Sequence, residues 1–225
     1  MTAIPSLKEQ NRYLIRTAMV LHCAAFIWVV MLPQKLNFSD INTILSGISA
    51  SLVPGAIGLG VVALASLFLL GIIPPKRRDQ LIHWRRANPL PGSRAFTKIG
   101  PKADHIDMAE LERCYGPLPS DEALQNITFF SIYNRFRDKA GVVDAHRRYL
   151  AARDIGTITV TLVPILPLIG IWATGDMGRS LLYATFLIGT YSLCAIAAQN
   201  YSVRMVQHVL AAASVSEYPI TGDPK

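Results

Sequence analysis

Apolar positions in this chain are bunched into four stretches with no interior Asp, Glu, Lys or Arg, and polar residues dominate the segments between them. Ser6-Leu7-Lys8-Glu9, preceded by Pro5, has the form of a capping box and predicts a helix start. Lys8, Arg12 and Arg16 recur every four residues, and the helix turns apolar from Thr17 to Leu32, where Pro33 stops it. That run of about 16 residues is slightly short for a hydrocarbon core ~30 Å thick, so Tyr13 and Arg16 are expected to snorkel and extend it. Leu52 to Ile73 carries no ionisable residue, is long enough to cross a bilayer, and ends at Pro74-Pro75-Lys76-Arg77-Arg78. Thr157 to Ala173 forms a third stretch, in which Pro164 and Pro167 predict a kink. A fourth runs from Leu181 to about Ala198, and its helix is expected to continue through Arg204 and His208 to Ala213. Between the first two stretches, Ser39 is expected to cap a short helix at the membrane surface, patterned by Ile41, Ile44, Leu45 and Ile48.

The polar segment 76–156 is too long to be a mere connector. Lys76 to Arg86 reads as a juxtamembrane helix, with Leu81, Ile82 and Trp84 set among basic residues. Asn88 to Gly100 is rich in Pro and Gly and is expected to be extended. Asp107-Met108-Ala109-Glu110 is a second capping box, opening a short helix that ends near Gly116-Pro117. Ser120 is expected to cap a stronger helix whose apolar stripe is Ala123, Ile127, Phe130, Tyr133 and Phe136. Beyond Gly141 a second stripe, Val142, Val143, His146, Tyr149 and Leu150, predicts a helix running unbroken into the third span, the pair forming an antiparallel hairpin. The fold class expected is an all-α integral membrane protein with four transmembrane helices and a cytoplasmic helical-hairpin module between the second and third. The chain then divides into a first transmembrane hairpin (1–75, spans 17–32 and 52–73), a basic module (76–156), and a second transmembrane hairpin (157–225, spans 157–173 and 181–198) with a C-terminal helix.

Composition agrees: of 225 residues 51% are apolar and only 16% charged, against about 25% charged in a soluble domain. The formal net charge is +7, and 76–154 holds 15 of the 22 Lys and Arg against 10 Asp and Glu, a local net of +5 (15 − 10). Only Lys35 and Arg179 fall in the other two links. By the positive-inside rule both termini and the basic module lie on the cytoplasmic side of a cell inner (plasma) membrane. The excess of positive charge has two readings, topological bias or a site for an anionic ligand.

The densest polar cluster is Asp144, His146, Arg147, Arg148, Tyr149, Arg153 and Asp154. Arg147 and Arg148 stand three and four residues after Asp144, so pairing along one helix face explains part of it. The functional alternative is a basic ligand or gating surface built from Arg135, Arg137, Arg147, Arg148 and Arg153, with guanidinium contacts for phosphate. In the spans, Ala56, Gly60 and Ala63 form a small-residue strip suited to close helix approach. His22, Thr161, Ser192 and Gln199 supply uncharged polarity, either to line a narrow aqueous path or to bond between helices. No charged relay sits within a span, which argues against a proton-coupled pump. HExxH, GxSxG, P-loop and CxxC patterns are lacking, and Cys23, Cys114 and Cys194 show no metal or redox spacing. No enzyme activity, metal or cofactor is expected.

Four spans with a basic hairpin around Phe129 to Asp154 give the chain an architecture that resembles small bacterial antiviral membrane effectors of the Hailong-type defence. The likeness is one of layout over nearly the whole chain. It implies a homo-oligomer, perforating or conducting in the bilayer, under an anionic nucleotide or oligonucleotide regulator. The expected function is an oligomeric inner-membrane channel-like or membrane-disrupting effector gated through the basic module. The alternative is a non-conducting scaffold or accessory subunit that anchors a cytoplasmic partner protein.

Overall fold

The computed structural model describes residues 7–31 and 70–215. Among them all regular structure is helical: α1 Leu7–Phe26, α2 Pro75–His83, α3 Met108–Tyr115, α4 Glu122–Phe136, α5 Ala140–Leu162, α6 Leu166–Thr174 and α7 Met177–Ser214. A π-helical turn, Ile27–Met31, continues α1. Among the described residues, three helical segments are long and apolar enough to cross a membrane: Glu9–Met31, Ala140–Thr174 (α5 with α6) and Met177–Ser214. The second expected span, 52–73, falls outside the described residues except for a last helical turn at 70–72. Ser6, the helix expected over Ile41–Ile48, and Ala56, Gly60 and Ala63 also lie outside them.

The chain separates into two compact units, Met1–Arg78 with Arg153–Cys194, and Asp79–Ala152 with Ala195–Lys225. The first unit has an apolar core of Met19, Cys23, Val30, Ile158, Leu162, Leu166, Tyr183 and Leu187. Its polar groups are tied between helices. His22 places Nε2 3.0 Å from Thr159 Oγ1 and Nδ1 2.7 Å from the Ala18 carbonyl, while the Tyr183 hydroxyl donates to the His22 carbonyl at 3.0 Å. Gly170 admits the close approach of Val30 and Ser180, since a Cβ there would sit 2.9 Å from Val30 Cγ1 and 2.7 Å from Ser180 Oγ. The prolines do more than kink the third stretch. Pro164 has no amide hydrogen to donate, and the helix stops at Leu162, resuming at Leu166 with Pro167 in its first turn. Gly175 then closes α6 in the left-handed region (φ +68°), donating its N–H to the Ile171 carbonyl at 2.8 Å.

The unit also buries an ion cluster. Asp154 Oδ1 accepts from Arg78 Nη1 at 3.3 Å and from Arg153 Nε and Nη2, both at 3.0 Å. Arg78 spends its other donors on carbonyls of the preceding turn, Leu70 at 3.1 Å and Ile73 at 3.0 Å. Buried charges survive only when paired and hydrogen-bonded in this way.

The second unit has an apolar core of its own. Phe96, Ile99, Leu111, Phe129, Ile132, Val142, Val206, Val209 and Leu210 form its core. Asp107 caps α3 as the capping box predicts, accepting from the Glu110 N–H at 2.9 Å, and the helix ends at Gly116 (φ +77°). The cap of α4 is Asp121 rather than Ser120: its carboxylate accepts from the N–H groups of Ala123 and Leu124, both at 3.0 Å. The expected stripe on α4 is also corrected. Ile127 (66%) and Phe130 (58%) are exposed, whereas Gln125, Phe129 and Ile132 face the core. A polar side chain, Gln125, occupies a core position that a hydrophobic pattern alone cannot find.

Candidate functional site

The stretch expected to be extended, 88–100, is instead wound into a chain of tight turns. Pro91–Arg94 is 3₁₀-helical, Ala95–Ile99 π-helical and Gly100–Lys102 3₁₀-helical. Proline at the first turn presets φ, and glycine allows close packing. A Cβ on Gly92 would lie 2.6 Å from Phe129 Cδ1, and one on Gly100 would lie 2.5 Å from Met108 Sδ and 3.0 Å from the Ala95 carbonyl oxygen. The deciding element is Gln125 of α4, which is fully buried. Its Oε1 accepts from the N–H groups of Phe96 (3.1 Å) and Thr97 (3.3 Å), and its Nε2 donates to the Ser120 carbonyl at 2.8 Å. Amide hydrogens that irregular turns leave unpaired are thereby satisfied without water.

Winding this stretch brings Arg94, Lys98 and Lys102 into register at four-residue intervals. They line a cleft of about 400 Å³ together with His83, Ile99 and, from α7, Gln199, Asn200, Ser202, Val203 and Gln207. No carboxylate is among these lining residues. Lys98 and Lys102 are exposed, and Arg94 is half-buried with Nε buried and without a hydrogen-bond partner. Burial lowers the Arg94 pKa from the ordinary guanidinium value, the neighbouring Arg85 lowers it further, and Glu122 works the other way. The surroundings are held rigidly. Arg85 Nη2 donates to Glu122 at 2.9 and 3.0 Å, Asn88 Nδ2 donates to the same carboxylate at 3.3 Å, and Glu122 is pushed below the usual carboxylate range mainly by Arg85. Gln199 donates Nε2 to the Ile82 carbonyl at 2.8 Å, leaving its Oε1 as an acceptor, while Ser202 turns its hydroxyl onto the Gln199 carbonyl at 2.8 Å.

The arginines singled out from sequence are each engaged with a neighbouring side chain. Arg147 and Arg148 both pair with Asp144, at 3.1 and 2.8 Å, as their spacing predicts, and Arg148 also lies 5.8 Å from the Tyr201 ring centroid. Arg135 lies 5.9 Å from the centroid of the Tyr115 ring, and Arg137 pairs with Asp138 at 3.9 Å. Arg153 belongs to the first unit, inside the buried cluster with Asp154. The polar residues assigned to spans are likewise engaged. His22 is buried on Thr159, Thr161 donates to the Ile158 carbonyl at 2.7 Å, Ser192 donates to the Ile188 carbonyl at 2.9 Å, and Gln199 belongs to the cleft. The cleft residues did leave a trace in the sequence, the Arg94, Lys98, Lys102 periodicity, but the Pro and Gly around them argued against a helical reading.

No protein-family model, curated protein or solved structure matches the chain.

Proposed function

We propose that the chain is a four-span inner-membrane protein with both termini and its basic module in the cytoplasm. On this reading it works as an oligomeric channel-like or membrane-disrupting effector controlled by an anionic ligand, of the antiviral kind that its architecture resembles. The observation that carries the reading is the composition of α7. This uninterrupted helix supplies an apolar stretch without Asp, Glu, Lys or Arg from Leu181 to Ala198, and then the polar wall of the cleft from Gln199 to Gln207. A ligand that engages the second part touches the same helix that carries the apolar stretch. Exposed side chains on the candidate spans, including Leu168, Trp172, Leu182, Ile188 and Leu193, need lipid or further copies to cover them.

Reconstitution of the full chain into liposomes tests this reading. Ion or dye release that changes with an added anionic ligand is expected, from a species larger than a monomer. A strictly monomeric protein that never releases dye refutes it. One observation favours the scaffold alternative: Leu124 (55%), Ile127 and Phe130 form an exposed apolar face on α4, suited to a partner protein. Replacing all three by Ser would abolish partner capture in that case and leave liposomes intact throughout.

A further inference from the structure

Three features of the cleft point to the chemistry of its ligand. The first is charge: Arg94, Lys98 and Lys102, with no carboxylate among the lining residues, make a concentration of positive potential that an anion relieves. The second is extent. The nine residues from Arg94 to Lys102, eight steps of ~1.5 Å, cover on the order of 12 Å, longer than a single compact anion needs, and suited to phosphoryl groups placed in a row. The third is the wall supplied by α7, where Val203 gives apolar surface and Gln199, Asn200 and Gln207 give neutral donors and acceptors. A cavity of about 400 Å³ lies in the range of small-molecule sites and excludes a long nucleic acid from the interior.

We propose that this cleft binds a small organic phosphate of nucleotide or dinucleotide size, phosphoryl groups along Arg94, Lys98 and Lys102, neutral polar portion against Gln199, Asn200 and Gln207. The buried Nε of Arg94 gains an acceptor, and its guanidinium and the two ammonium groups make charge-assisted bonds to phosphate oxygens. The inference deepens the functional reading above by naming the ligand class, and rests on that reading only for what binding brings about. Gln125 acts as a positioning residue, because it holds the turns on which Arg94 and Lys98 are mounted.

The test uses the full chain in phosphatidylcholine nanodiscs, titrated with fluorophore-labelled ATP and competed with unlabelled ATP and inorganic pyrophosphate. Saturable, salt-sensitive binding is expected. The double variant Lys98→Gln, Lys102→Gln should weaken it by about tenfold or more, whereas Arg147→Gln with Arg148→Gln should leave it within about twofold. Lys98 and Lys102 are exposed, so the core is untouched by their replacement. Absence of binding, or equal binding by the Lys98, Lys102 variant, overturns the proposal. A second arm uses discs containing a phosphoinositide: if that lipid engages Lys98 and Lys102 and soluble nucleotide never binds, the phosphate belongs to the membrane and the soluble-ligand proposal falls. Dye release from liposomes separates the two inferences. Binding that depends on Lys98 and Lys102 without release under any condition upholds the site and sinks the channel, and release without binding does the reverse.

Discussion

Two basic stretches of the second unit, 94–102 and 135–148, make an instructive pair. Both are rich in Arg and Lys, and the second is the denser in sequence. Yet its charges are spent locally: one carboxylate, Asp144, holds Arg147 and Arg148, and Asp138 sits beside Arg137. The first stretch has fewer cations but no carboxylate at its cleft. Ligand-binding capacity follows from charge left uncompensated within a concave surface, and a count along the chain does not report it. Arg153, in the first unit, is buried against Asp154, whose carboxylate it shares with Arg78.

The comparison can be broken or sharpened in order of effect. Asp154→Ala removes the carboxylate from between two buried guanidiniums and should cost about 3–5 kcal/mol, read as thermal unfolding in detergent. Replacing Arg78 and Arg153 by Met along with Asp154→Leu should recover much of that loss, and unchanged unfolding of Asp154→Ala would mean the cluster does not form. Gln125→Leu keeps the volume but orphans the amide hydrogens of Phe96 and Thr97, for about 3 kcal/mol. Hydrogen exchange should rise first at 95–99, with anion binding lost alongside. Gly92→Ala forces a methyl against Phe129 and Asn126 and should cost about 1–3 kcal/mol in denaturant unfolding. Arg147→Gln with Arg148→Gln should change stability by no more than about 1 kcal/mol, since these pairs are largely exposed. A large loss of phosphate binding in that variant would erase the contrast between the two stretches.

The smallest effect is one of pH. Hydrogen bonds from Arg113 and then Cys114 hold Glu110 down to about 2, below the ordinary glutamate value near 4.3. A depressed carboxylate contributes stability that is complete above the unfolded value and disappears as pH falls toward the folded one. Acid titration of unfolding should therefore show a small loss between roughly pH 4.5 and 2 that Glu110→Gln removes, while the cleft's affinity at neutral pH stays the same.

What the sequence determined by itself was whatever depends on local pattern. The uncharged apolar runs at 17–31, 157–173 and 181–198 dictate helix, and they fall within Glu9–Met31, Ala140–Thr174 and Met177–Ser214, because lipid or a dry core requires every backbone group to be satisfied internally. The cap at Asp107 and the pairing of Asp144 with Arg147 and Arg148 were equally legible, since each spans less than two turns of one helix. Tertiary structure alone decided the rest. Gln125 lies at least 28 residues from the amides it satisfies, so composition read 88–100 as extended when a distant side chain makes tight turns stable there. It also decided which face of α4 is buried, turning Ile127 and Phe130 outward and Phe129 inward. The cleft belongs to the same class, because its cations and its amide wall are about a hundred residues apart and only folding sets one opposite the other.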